Sequence, residues 1–581
     1  MRKTTLMVIL TINSKELLAS KRYSHLLIPI LVIFMGVMIV LPIGALFFGS
    51  FWSSRPGAPG SLTLDNYSES FSDPRSLTLL SNSLVYALGA ALLATSIATV
   101  IAFITTRTDT PFASFFTYIP FLSLVIPGLV SAVAWTYLLS PRTGLINLFF
   151  TAVLGFQDPP FNVFTLGGMI WVMGLSLVPL AYVGVRSAMI SLDPTLEEVA
   201  RVSGRGIRPV IFRVTLPLVM PAMLSLFLLA FIIAFESFDI PAIIGIPGNI
   251  DVYMSVIASS VLYNTPPDYG LATSQSVIMF IVTMFFVYLY RKATRRAEKF
   301  AVITGKGYAP RVMKIGKWRY LGLAILLIYL FVDIILPYLT LFISSLHTYW
   351  HPKTLFEDLT LNNYLELPAY SQIPNSLLNS VFISSLSAFV AVIAAVFIAY
   401  YSLKSRIKGR GLLEGLAMFP VAFPGLVLGV GLLWAIIMLP LGIYRTIWAI
   451  VLAYVIKYIP HGMRFISEPI LQIHHELEDA SRVSGASLLY TMRRITMVLL
   501  RPALLGGWVY IAMITFRELG AAILLVSPGN EVISATIYHI WSSGHMPHAV
   551  AAIMLLAVVL WGAIMAVSII SRRRIRFKPT P

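Results

Sequence analysis

Asp193-Pro-Thr-Leu-Glu-Glu-Val-Ala-Arg-Val-Ser-Gly204 recurs, 281 positions later, as His474-His-Glu-Leu-Glu-Asp-Ala-Ser-Arg-Val-Ser-Gly485. Both stretches are short and polar, and both stand between long apolar runs. Asp193 suits a helix N-cap and Pro194 the first helical position. Glu197 and Glu198 favour the positive end of a helix, and Gly204 is a natural stop. The spacing predicts helices over 194–204 and 475–485. Neither can cross a bilayer, which takes about 20 apolar residues. A chain that writes the same non-spanning helix twice is a duplication.

The flanking runs say what is duplicated. Of 581 residues 58% are hydrophobic and 12% charged, with a mean hydropathy of +0.84. Soluble domains carry about 25% charged residues, so this chain cannot cover a water-facing surface. A large soluble enzyme, a disordered scaffold and a fibrous protein are excluded. The absence of Cys removes disulfides, thiolate metal sites and cysteine nucleophiles. Runs long enough to span lie near 26–50, 83–104, 115–139, 166–190, 213–240 and 271–291, then near 319–345, 376–402, 413–438, 445–468, 496–525 and 548–570. The basic N-terminal segment, with Arg2, Lys3, Lys15, Lys21 and Arg22, precedes a run too long for a cleaved signal and reads as leading into an uncleaved first span. Leu6–Ile12 is too short to span and reads as interfacial. With both termini in the cytoplasm, most Lys and Arg fall inside, densest at 291–319 and 572–578. The net charge of +17 is therefore a positive-inside signal that needs no nucleic acid to explain it.

Other stretches repeat in register. Leu62-Thr-Leu-Asp-Asn-Tyr67 returns as Leu359-Thr-Leu-Asn-Asn-Tyr364, Asn82-Ser83 as Asn379-Ser380, and Pro127-Gly-Leu-Val130 as Pro424-Gly-Leu-Val427, all at an offset of 297. Beyond them the offset falls to 281, as in Pro247-Gly-Asn249 and Pro528-Gly-Asn530. The first copy thus carries about 16 extra residues, best placed in 140–164, where Leu145–Leu154 can form an interfacial helix. The expected organisation is a first repeat over 1–300, a basic cytoplasmic linker over 301–318 and a second repeat over 319–581. An even number of spans per copy makes the repeats parallel, related by an axis along the membrane normal, with a pathway between them. The expected fold is all-α, twelve transmembrane helices in two parallel six-helix repeats.

Leu196, Val199, Ala200 and Ser203 share a helix face, as do Leu477, Ala480, Ser481 and Ser484, a small-residue surface suited to a partner groove. Here the chain resembles permease subunits of binding-protein-dependent ABC importers of type I. Their cytoplasmic signature is Glu-Ala-Ala, a Gly four residues on, then Ile-x-Leu-Pro. Glu198, Val199, Ala200 and Gly204 match it, followed by Val214, Leu216 and Pro217. The second copy has Asp479, Ala480, Ser481 and Gly485, then Ile495 and Met497, with Val498 in place of Pro. The resemblance implies coupling helices, each seated in a cleft of one of two ATP-binding cassette subunits, with ATP and Mg held there and none by this chain. It also implies an external solute-binding protein, addressing segments 51–80, 140–164, 243–270 and 346–375. Consistent with a separate motor, the chain contains no Gly-x-x-x-x-Gly-Lys-Ser/Thr loop. It is expected to be a non-catalytic subunit.

Ionisable residues within spans are candidates for the path or its gate. Glu236 and Asp239 lie toward the outer end of the fifth span, Arg517 and Glu518 in the equivalent stretch of the eleventh, and Lys457 in the tenth. Glu236 aligns with Arg517, and the two are expected to face each other across the pseudo-two-fold axis. The stretches 234–242 and 516–522 resemble fused permeases of the ferric-iron group, with polyamine, thiosulfate or sulfate, and phosphonate permeases similar there. Ferric iron is the first-choice cargo. A secondary transporter or channel working alone is the competing class. His539, His545 and His548 cluster before the last span, but Pro547 intervenes and no carboxylate is adjacent in sequence, so no resident metal is expected.

Overall fold

The computed structural model describes residues 30–575 apart from 32, 124–126, 205, 301–311, 352–354, 371, 405–408 and 440–441. The interfacial stretch Leu6–Ile12 and most of the linker therefore lie outside the described residues. Among the described residues the chain is all-α, with two isolated bridges, Trp52 to Leu62 and Thr108 to Met313, and no strand.

Each of the twelve apolar runs contains helix among the described residues. Eight are unbroken: Ile33–Ser50, Ser76–Arg107, Leu166–Ser191, Arg208–Phe235, Tyr269–Thr294, Trp318–Ser345, Gln372–Lys404 and Ile447–Gln472. The helix Met546–Ile575 closes the chain. The other three are bent. Ala113–Ser123 meets Gly128–Leu139 at 102°, and its repeat counterpart Arg410–Ala422 meets Gly425–Met438 at 109°. Both breaks fall at Pro-Gly: Pro127 and Pro424 adopt extended backbone, and a new helix starts at the following Gly. The eleventh run bends by 74° between Leu488–Leu499 and Arg501–Phe516, and ends there instead of reaching 525.

The chain forms two compact units. One contains residues up to Tyr67, Thr265–Val277 and Asn375–Ile533; the other contains Ser68–Asn264, Ile278–Pro374 and the residues from Ser534 on. Sequence repeats and compact units thus cut the chain differently, because the first helix of each repeat packs with helices of the other repeat. In the first unit a Cβ on Gly431 would lie 2.5 Å from the Pro42 carbonyl, and one on Gly49 2.7 Å from the Trp434 ring. In the second, Leu326, Tyr329 and Ile334 join a core with Ala98, Ile101, Val178, Ala181 and Tyr182. Helices in lipid gain no hydrophobic driving force from each other, so small residues must bring backbones close. Ala87, Ala90, Ala91, Ala94 and Ala98 are accordingly 0% exposed along Ser76–Arg107. Gly174 accommodates Leu93 of that helix and Gly184 accommodates Leu226.

The repeated motifs staple equivalent joints. Asn66 Nδ2 donates to the carbonyls of Ser50 and Trp52 at 3.0 Å each, closing the C-terminal end of Ile33–Ser50. Asn363 Nδ2 does the same to Ser345 and His347 at 2.9 and 2.7 Å. Ser83 Oγ accepts from Tyr253 N at 3.0 Å, and Ser380 Oγ from Ile533 N at 2.7 Å. Each serine thereby fixes the start of a short helix, Tyr253–Leu262 or Ile533–Ser542. Much of 243–270, expected to face an external partner, is therefore core: Ile243, Ile244, Met254, Ile257 and Ala258 are at most 1% exposed. The predicted interfacial helix in the 16-residue insertion spans Leu145–Ala152 and is held by Asn147, which bonds the carbonyls of Leu139, Ser140 and Phe161.

Candidate functional site

The two short polar helices form where expected, over Pro194–Val202 and His475–Val483. Asp193 Oδ1 accepts from Thr195 N at 2.9 Å, the cap its position implied. Both helices end on a left-handed glycine, Gly204 at φ 78° and Gly485 at φ 87°. At the second, Gly485 N bonds Arg482 O and Ala486 N bonds Ser481 O, the paired bonds of a Schellman stop. Leu196 is 45%, Val199 65% and Val202 88% exposed; Leu477 is 49% and Val483 88%. Ser203, Ala480, Ser484, Asp479 and Pro217 are exposed, while Glu198 and Ala200 are half-buried. Ser481 turns inward, its Oγ 2.9 Å from Thr491 Oγ1. The outward face thus includes Val202 and Val483, which the predicted face left out, and loses Ser481. His474 and His475 are exposed beside it.

What holds these helices was not anticipated. Glu197, read only as favourable near a helix start, and its repeat counterpart Glu478 are 4% and 5% exposed and point into the protein. Glu197 Oε2 lies 3.6 Å from Arg107 Nη1, and Oε1 accepts from Thr215 Oγ1 at 2.7 Å. Glu478 Oε1 lies 2.9 Å from Lys404 Nζ and accepts from Thr496 Oγ1 at 3.1 Å. The signal was present in the sequence: Arg107 and Lys404 stand 297 apart, and the Glu and Thr pairs 281 apart.

At the opposite end of the fifth and eleventh spans, the structure joins two of the expected path residues. Lys457 Nζ is 2.8 Å from Glu518 Oε1, with side-chain exposures of 16% and 12%. Glu518 also accepts from Tyr458 OH and from Ala521 N at 3.1 Å, and Tyr454 OH donates to its carbonyl at 3.0 Å. This cluster sits against the bent-helix break, since a Cβ on Gly425 would come within 2.5 Å of Lys457 Nζ. In the other unit Asp239 occupies the equivalent place, 2.5 Å from where a Gly128 Cβ would be. Glu236 and Arg517 each cap the C-terminus of their helix, in different units. Asp333, midway along the seventh span, was missed. It is 7% exposed, accepts from Ser123 Oγ, and its signal was a lone carboxylate in an apolar run.

The histidines before the last helix gain a carboxylate that the sequence did not place beside them, His548 Nε2 lying 2.8 Å from Glu366 Oε2. Among the described residues no group of three or more His, Cys, Asp or Glu is arranged to hold a metal ion. Nearby, Tyr538 OH lies 2.6 Å from Tyr263 OH. Burial and that neighbour push the Tyr538 hydroxyl well above its usual range, so it stays a phenol.

Residues 98–299 and 387–576 each match the family described as binding-protein-dependent transport system inner membrane component. The chain is 26% identical over 531 residues to the ferric transport system permease protein FbpB of Actinobacillus pleuropneumoniae, covering 91% of this chain and 75% of that protein. It is 25% identical over 514 residues to the putative ferric transport system permease protein FbpB 1 of Haemophilus influenzae, covering 88% and 78%. A putative 2-aminoethylphosphonate transport system permease protein, PhnV of Salmonella typhimurium, is 25% identical over 226 residues, 39% of this chain and 84% of that one.

Proposed function

Because the chain belongs to the binding-protein-dependent transport system inner membrane components, matched twice along its length, we propose that it is the membrane channel of an ATP-driven importer whose cargo is ferric iron. The observation that carries the cargo is the likeness to ferric permeases across nine-tenths of the chain. Two ATP-binding cassette subunits, holding ATP and Mg, seat the exposed faces around Leu196, Val199 and Val202 and around Leu477 and Val483. The second face differs at the exposed Asp479 and Ala480, so the two seats are unequal. An external binding protein loads the opposite side, and both termini lie in the cytoplasm. The two repeats, 1–300 and 319–581, alternate between inward- and outward-open states. ATP drives that change only through its difference in affinity for the two states.

Glu236, Asp239, Lys457, Arg517 and Glu518 belong to the path or its gate. The test is reconstitution of the chain with its ATPase subunits and binding protein. Stimulation of ATP hydrolysis and uptake by iron-loaded binding protein, with phosphonate- or sulfate-loaded protein inert, is the expected result. Full-rate uptake without ATPase subunits would overturn the importer reading, and stimulation by another load alone would overturn iron.

A further inference from the structure

We propose that Glu197 and Glu478, each with the cation and threonine it faces, are positioning residues that lock the coupling helices to the membrane helices; this rests on the importer reading above. Each knot gathers the ends of three long helices around one buried carboxylate. Arg107, last residue of Ser76–Arg107, approaches Glu197 and donates through Nη2 to the carbonyls of Met189 and Leu192 (3.1 Å to the latter), where Leu166–Ser191 ends. Lys404 reaches Glu478 and donates to Ile473 O at 3.1 Å, where Ile447–Gln472 ends. Leu192 and Ile473 are repeat-equivalent. The third element enters as a π-turn, Ile211–Thr215 in one repeat and Met492–Thr496 in the other, and in each the closing threonine donates to the glutamate. π-turns inside helices are frequent at functional sites. Here both copies place the interruption at the same position.

Within this one chain several residues around the knot have changed, while the knot keeps its glutamate, its threonine and a cation, Arg107 in one copy and Lys404 in the other. Glu198, Val199, Ala200 and Pro217 have become Asp479, Ala480, Ser481 and Val498. Carboxylate, cation, threonine and π-turn all remain. A nine-residue helix is not stable on its own, so its orientation comes from its attachments. A buried charge paired on two sides has few alternative geometries. A push on Val199 or Val483 is therefore passed to three membrane helices together and is not absorbed by the short helix rocking in place.

The test uses the full chain co-purified with its ATPase subunits in nanodiscs, reading subunit retention, basal ATP hydrolysis and stimulation by iron-loaded binding protein. Glu197→Gln with Glu478→Gln is expected to retain the ATPase subunits while stimulation falls about tenfold, a loss of coupling free energy. Thr215→Val with Thr496→Val, a near-isosteric change that decides the matter if the glutamine pair folds poorly, is expected to lose about fivefold. Arg107→Lys, which writes the second copy's cation into the first, is expected to keep at least half of the stimulation, whereas Arg107→Met loses it. Undiminished stimulation in the threonine pair, or loss of ATPase retention in step with stimulation, would overturn the positioning role. Failure of the unmodified chain to retain ATPase subunits would instead overturn the importer reading beneath it.

Discussion

Replacing Glu518 by Gln leaves the Lys457 ammonium in a site where its side chain is only 16% exposed. At 2.8 Å and an effective dielectric of about 20, the lost attraction is about 6 kcal/mol before desolvation is counted. Desolvation of both groups offsets much of that in the intact pair, but a lone remaining charge recovers no such offset. Breaking a buried pair from one side costs about 3–5 kcal/mol. Tyr458 donates to Oε2 and Ala521 N to Oε1, and the single acceptor oxygen of Gln keeps only one of these bonds, so a loss of about 3–5 kcal/mol is expected. Lys457→Met should cost a similar amount, since Glu518 keeps those two donors but loses its countercharge. The double variant removes both charges and should lose only about 1 kcal/mol, a coupling of several kcal/mol. The assay is SDS-titrated unfolding in mixed lipid micelles, followed by tryptophan fluorescence, for the four members of the cycle. Additive losses, or single variants within about 0.5 kcal/mol of the parent, would refute the claim that this pair is buried and mutually dependent.

The remaining expectations use the same unfolding measurement unless stated. Gly485→Ala places a side chain at φ 87° and should cost about 1–2 kcal/mol; Gly204→Ala should match it, and no change in either would mean that the left-handed stop is absent. Asn363→Ala frees the carbonyls of Ser345 and His347 and should cost about 1–3 kcal/mol, with Asn66→Ala equal to it if the two staples are equivalent. Glu366→Gln removes a pair whose carboxylate is 56% exposed, so a change beyond about 1 kcal/mol would contradict its surface character.

The sequence by itself determined the class, the duplication and the location of the two short polar helices. Those rest on local signals: apolar runs long enough for lipid, turn and cap residues such as Asp193 and Gly485, and motifs that recur in register. The meaning of those motifs was tertiary. Asn66, Asn379 and Pro424 read only as repeated letters, because the carbonyls that Asn66 and Asn379 satisfy, and the bend that Pro424 sets, belong to three-dimensional packing. Residue spacing placed Glu197 on the first short polar helix, but only packing could show that it turns inward toward Arg107, 90 positions earlier. Lys457 and Glu518 were each visible as costly charges in apolar surroundings, and their pairing was not. The first helices were legible as spans, yet their exchange between repeats was decided by close contacts such as Gly431 on Pro42. Sequence periodicity records which face of a helix is apolar, and every face of a helix in lipid is apolar, so the choice of neighbour falls to shape.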